Sequence, residues 1–114
     1  MRQINELGMT KNQIQGLNEL KQKLLKHFPV ESLILYGSYA CGEADSESDI
    51  DLLILTKETL SRIDRHKITD TIFEINLQYD TNFSGLVIDQ FSWERGLISI
   101  LPFHDEILKQ GIKL

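Results

Sequence analysis

The sequence predicts a small α+β fold, an α/β sandwich in which helices pack against a short β-sheet. Three observations carry this prediction. Two long stretches repeat apolar residues at steps of three and four, the period of a helix with one buried face. Three apolar runs are too short for helices and are bounded by turn residues, as strands are. The two kinds of segment follow one another as helix, strand, strand, helix, strand, helix, which is the order of a layered sheet-and-helix structure.

The first helix starts at Thr10, a residue type that caps helices, with Gln13 three residues on to complete a capping box. Ile14, Leu17, Leu20, Leu24 and Phe28 then mark its buried face, and Pro29 ends it. Gly16 is a weak helix former inside this stretch. Ser32 to Tyr36 reads as a central strand, apolar on both faces, and Gly37 breaks it. The polar stretch Glu43 to Ser48 is a loop, and Asp49 to Leu55 is the second strand. Leu60 to Tyr79 carries Ile68, Ile72, Ile75 and Tyr79 at helical spacing. Asp80 to Asn82 is a turn, and Phe83 to Ile88 is the third strand. Helical pieces follow at Ser92–Ile100 and Phe103–Gln110, with Gly111 as a stop.

The 114 residues suit one domain, 1–114, able to bury a core without disulfide staples. No repeat, low-complexity tract or linker divides them. The single cysteine, Cys41, fits a reducing cytoplasm. Met1 to Ile4 begin no apolar signal core, and no apolar run approaches the roughly 18 residues that span a bilayer, so a cytoplasmic protein without a membrane segment is expected. The net charge of −5 disfavours nucleic acid as the main partner, because gripping a phosphate backbone takes a surplus of Lys and Arg.

The chemistry concentrates between Gly37 and Leu52. A buried strand ends at Gly37, where the missing side chain lets another group approach the backbone. Ser38 follows at the start of a turn or short helix, where a hydroxyl and unpaired amides suit a phosphate. Asp49 and Asp51 alternate with Ile50 and Leu52, so both carboxylates leave one side of a strand while Ile50, Leu52 and Ile54 enter the core. Two carboxylates held that close repel unless a cation neutralises them, and hard oxygen ligands of this kind suit Mg2+. Taken singly, each half also suits an ordinary role: Gly-Ser a plain turn, Asp-x-Asp a solubilising rim. A calcium loop beginning at Asp45 fails, because Ile50 stands where its glycine is required and Thr56 where its final acid is required.

Gly37-Ser38, with ten residues before Asp49-x-Asp51 and with Ser48 and Leu52 flanking the acids, resembles the signature of the polymerase-β-type nucleotidyltransferase superfamily. Gly42 also stands at a familiar place, and the short chain is similar to the minimal nucleotidyltransferase (MNT) group. The resemblance implies a small mixed sheet with helices mainly on one face. It implies transfer of a nucleoside monophosphate from a nucleoside triphosphate (NTP) to an acceptor hydroxyl, releasing pyrophosphate. Gly37 and Ser38 would hold the β and γ phosphates; Asp49 and Asp51 would be catalytic and bind Mg2+, with Mn2+ as the alternative.

The family's third carboxylate lies on a later strand, and this sequence departs from the pattern there. Ser84 is the better match for that position; Asp89, at the other end of the strand, is a weak substitute, and Glu74 and Asp80 weaker still. Lys57 is a further candidate for touching phosphate. Arg62 to Lys67 reads as a solvated helix face, Cys41 lacks an adjacent base, and His27, His66 and His104 show no metal-ligand spacing. Trp93 and Phe103 read as core or interface anchors rather than a base-stacking platform. The resemblance further implies a helical HEPN-domain partner, of which the MNT protein is the antitoxin half, with AMP as the transferred group; an oligomer is compatible with this. The rival expectation, favoured by the missing acid, is an NTP- or partner-binding module of the same fold with weak or no turnover.

Overall fold

The computed structural model describes residues 8–41 and 49–114. Gly42 and the expected loop Glu43–Ser48, including Ser48 of the motif, lie outside the described residues. The elements are α1 (Lys11–His27), β1 (Val30–Tyr36), α2 (Ser38–Cys41), β2 (Ile50–Thr56), α3 (Arg62–Tyr79), β3 (Phe83–Asp89), α4 (Gln90–Arg95), a 3-10 turn (Leu97–Ile100), α5 (Pro102–Gln110) and β4 (Ile112–Lys113).

Helix α1 begins as its sequence dictates. Thr10 Oγ1 accepts from the Gln13 amide at 3.1 Å, and Gln13 Oε1 accepts from the Thr10 amide at 2.8 Å, so two otherwise unpaired donors are satisfied reciprocally. Leu17, Leu20 and Leu24 form its buried stripe. Gly16 has a packing role that periodicity does not reveal. A Cβ there would sit 3.2 Å from both Phe83 Cε2 and Tyr79 Cγ, so its absence lets α1 close onto α3 and the start of β3.

The sheet has the order β3-β2-β1-β4. Strand β1 runs antiparallel to β2, pairing Tyr36 with Asp51, and β2 runs parallel to β3 through the α3 crossover, pairing Asp51 with Ser84. The sheet is therefore mixed. Alternation along β2 divides the core in two. Ile50, Leu52 and Ile54 face the layer of α1 and α3, packing with Leu20, Ile68 and Ile75. Leu53 and Leu55 face the other side, with Ile88, Trp93 and Ile107. Among the described residues the short elements α4, the 3-10 turn and α5 supply that second layer, and the two long helices occupy the other face.

Two expectations need correction. The helix expected at Ser92–Ile100 is split at Gly96, whose extended backbone (ψ −171°) ends α4 before a separate 3-10 turn. No strand is expected after Gly111, yet Ile112–Lys113 pairs antiparallel with Leu35 and Ile34. Two residues are too few for a period to register; the strand exists because the β1 edge is there to receive it. Among the described residues no helix is long and apolar enough to cross a membrane.

Candidate functional site

Strand β1 delivers the chain to the site through Tyr36, and the turn that follows depends on Gly37. Its φ of +78° is a left-handed conformation that side chains other than glycine adopt at a cost. Space is restricted as well: a Cβ there would collide with Asp51 Oδ2 and lie 3.2 Å from its Cγ. The Asp51 carboxylate thus lies against the Gly37 backbone. Ser38 then opens α2, which is fixed from below by the buried residues Tyr39 and Ala40. Tyr39 hydroxyl accepts from Gln13 Nε2 at 3.0 Å, tying α2 to the first turn of α1.

Asp49 is exposed immediately before β2, and Asp51 is half-buried within it. Their two-residue spacing puts both on the face shared with Leu53 and Leu55, at the end of the sheet away from Trp93 and Leu55. Burial raises the Asp51 carboxyl above its ordinary value, and the negative charge of Asp49 raises it further. Across the β1–β2 pair, burial and the charge of Asp51 push the Tyr36 hydroxyl up. A site that resists adding negative charge favours a cation. The donor set fits Mg2+, which needs only one or two carboxylates when phosphate oxygens and water complete its shell. Among the described residues Asp49 and Asp51 stand without a third His, Cys, Asp or Glu gathered beside them.

The structure brings Gly37, Ser38, Asp49 and Asp51 to one end of the sheet and places the lesser candidates by register. Ser84 is the β3 partner of Asp51, so a serine occupies the strand position adjacent to the carboxylates. Asp89 pairs with Thr56 instead, five residues along and roughly 16 Å away at strand rise. There it caps α4, its Oδ2 accepting from the Ser92 amide at 2.9 Å and its Oδ1 from Ser92 Oγ at 2.7 Å. Those hydrogen bonds hold its carboxyl below the usual range. Lys57 is exposed past the same end of β2, its amide bonded to the Pro29 carbonyl at 2.8 Å and roughly 20 Å from Asp51. Neither belongs to the Gly37–Asp51 cluster.

Glu74 is exposed on α3, and Asp80 is its left-handed C-cap. Arg62, Arg65, His66 and Lys67 are exposed at the start of α3, beyond the Thr56 end of the sheet. Trp93 and Phe103 pack edge-on at 6.4 Å in the second core, and His104 lies on Trp93 at 4.3 Å. Tyr36 is the residue sequence reasoning passed over. It stacks edge-on against Phe103 at 5.4 Å and pairs with Asp51, and its place as the last strand residue before Gly37-Ser38 was the available signal.

Asp89→Ala should cost about 1 kcal/mol of folding stability through the lost cap, while metal and nucleotide binding stay unchanged. Because the Asp89 pKa is depressed in the folded state, its contribution is present above the unfolded carboxylate value and is lost as pH falls through the folded one. Melts at neutral and acid pH check both points, and altered nucleotide binding would return Asp89 to the site.

Residues 17–111 match the nucleotidyltransferase domain family. A protein of Methanocaldococcus jannaschii, provisionally named a protein adenylyltransferase, is 44% identical over 104 residues, covering 85% of this chain and 91% of its own. Another protein of that organism and provisional name is 40% identical over 77 residues, covering 64% of this chain. The chain spans about half that relative's length, 52%. A crystal structure of a toxin–antitoxin with AMP-PNP shares the fold at a TM-score of 0.58 and 19% identity, over 91% of this chain and 72% of that one. So does a chain of the complex between a tri-AMPylated HEPN toxin of Shewanella oneidensis and its MNT antitoxin, at 0.53 and 20%, over 88% and 69%.

Proposed function

The chain belongs to the nucleotidyltransferase family, and on that premise we propose that it transfers AMP from ATP to a hydroxyl of a partner protein. The contact of Gly37 with Asp51 carries this reading, because it joins the phosphate-type turn and the carboxylate strand into one site. Gly37 and Ser38 hold the terminal phosphates, and Asp49 and Asp51 hold Mg2+, with Mn2+ as the alternative. Bound there, the metal neutralises the triphosphate and favours in-line displacement.

The acceptor oxygen forms a bond to the α-phosphorus, and the bond from that phosphorus to the bridging oxygen breaks, its electron pair leaving on pyrophosphate. Ser84 is no general base, so the hydroxyl proton passes to water. Tyr36, paired with Asp51 across the strands, walls the site there and keeps the Asp51 carboxylate partly desolvated. The fold shared with chains of a HEPN toxin–MNT antitoxin complex supports a HEPN-domain partner, with this chain as the antitoxin and the cytoplasm as its setting.

Calorimetry tests the nucleotide site. Each NTP is titrated with Mg2+ and again with EDTA, and metal-dependent binding is expected. NTP affinity indifferent to Mg2+ and Mn2+ would sink the proposal.

Ser84 also favours a second reading, a module that binds NTP without turnover. Ser84→Asp places a third carboxylate beside Asp51 and is expected to raise AMP transfer about tenfold or more, short of the roughly 10²–10⁴-fold of a fully positioned base. Metal-dependent binding with no transfer by either protein would favour the binding module.

A further inference from the structure

We propose that the acceptor reaches this site as an extended segment added to the sheet along the outer edge of β3, an inference that rests on the transfer reading above. Among the described residues β3 is an outermost strand. The Ile50 amide donates to the Asn82 carbonyl at 2.9 Å, and the parallel register runs on from Ile50–Phe83 to Thr56–Asp89. Peptide groups along a strand point alternately to either side. Ser84, Leu86 and Ile88 therefore bond toward β2, while Phe83, Gly85 and Val87 turn their N–H and C=O outward.

At Phe83 these outward groups are already satisfied. Asn76 Oδ1 accepts from its amide at 2.8 Å, and Asn76 Nδ2 donates to its carbonyl at 3.0 Å, as a neighbouring strand would. Past that substitute, Gly85 and Val87 have no outward partner among the described residues. An open edge of this kind accepts a further strand.

The sheet face above the edge supplies a reading frame. Ser84, Leu86 and Ile88 lie beside Asp51, Leu53 and Leu55, on the face that carries the two acids. Next to them is a cavity of about 390 Å³, lined by Leu86, Ile88, Ile98, Leu101 and Phe103, and by Arg65. Arg65 is exposed and has no carboxylate partner among the described residues.

An added strand shows one face at every second residue. A hydroxyl residue beside Ser84, whose small side chain leaves room, faces Asp51. The next residue on that face enters the apolar cavity, and the one after it meets Arg65. The acceptor is thus a segment of the form hydroxyl–x–apolar–x–acidic, in either chain direction.

The test uses labelled ATP, Mg2+ and arrays of short Ser-, Thr- or Tyr-centred peptides scanned at neighbouring positions, with NTP binding measured separately. Labelling should require an apolar residue two positions from the hydroxyl. Methylating alternate backbone amides of a labelled peptide should lower labelling about tenfold, as should Val87→Pro, which removes an outward donor the sheet does not use. Arg65→Glu should cancel the acidic preference, a change of up to about fivefold. All of this is expected with NTP affinity unchanged.

NTP binding without peptide labelling, or labelling indifferent to the neighbouring residue and to amide methylation, overturns edge docking and leaves the nucleotide site standing. A wild-type dimer that Val87→Pro converts to a monomer assigns the edge to a second copy, and likewise overturns it. Absence of NTP binding by the wild type overturns the transfer reading, and edge docking with it.

Discussion

Changing Asp49 and Asp51 together to asparagine is expected to lower AMP transfer by about 10³-fold or more while leaving the fold intact. The substitution keeps shape and removes the two charges that hold the cation, and deleting even one electrostatic partner of a transition state commonly costs about 10²–10³-fold. Stability should move the other way. Burial and the Asp49 charge raise the Asp51 pKa, so its ionised form weighs against the metal-free folded state. For a carboxyl raised on folding, that cost is complete above the folded value and fades as pH falls through it toward the unfolded value near ~3.9. In EDTA the double variant should therefore melt above the wild type at pH 7 and converge with it near pH ~4.

Mg2+ with NTP should raise the wild-type melting temperature and leave the variant where it was, since only a state that binds ligand gains from it. Scanning calorimetry with and without Mg2+ reads both effects. A variant that melts well below the wild type at pH 7 would mean that the carboxylates serve the fold.

Gly37→Ala carries the second large effect, through two separable causes. The φ of +78° costs an L-residue about 1–2 kcal/mol, and the new methyl must also displace the Asp51 carboxylate. Gly8 separates these causes. It has nearly the same φ, +72°, but among the described residues nothing lies within 4 Å of the Cβ that an alanine would add. Gly8→Ala should show the conformational cost alone, with nucleotide binding unchanged. Gly37→Ala should show that cost and lose metal-dependent NTP affinity by about tenfold or more, because a carboxylate displaced by even part of an ångström no longer meets the cation. Denaturant melts and calorimetry on both variants check this. Equal binding losses in the two would mean that the Gly37 contact with Asp51 is incidental.

Much of this was legible in the residues themselves. The capping box of Thr10 and Gln13, the Leu17, Leu20 and Leu24 stripe and the alternation along Asp49–Ile54 are local, and local patterns follow from the 3.6- and 2-residue periods. The same alternation foretold that Asp49 and Asp51 would share a face. Tertiary structure decided what depended on neighbours distant in sequence. Periodicity shows Gly16 only as a weak helix former; its contact with Phe83 and Tyr79 makes it a packing residue. Ile112–Lys113 is a strand because β1 has an edge to fill. Asp89 and Ser84 stand on one strand; Asp89 caps a helix through a local contact with Ser92, while only the parallel register sets Ser84 beside Asp51 and Asp89 far from it. The sequence by itself determined which chemical groups this protein has and which way each strand turns them. The packing of elements decided which groups meet, because register between strands is fixed by hydrogen bonds and burial across the whole sheet.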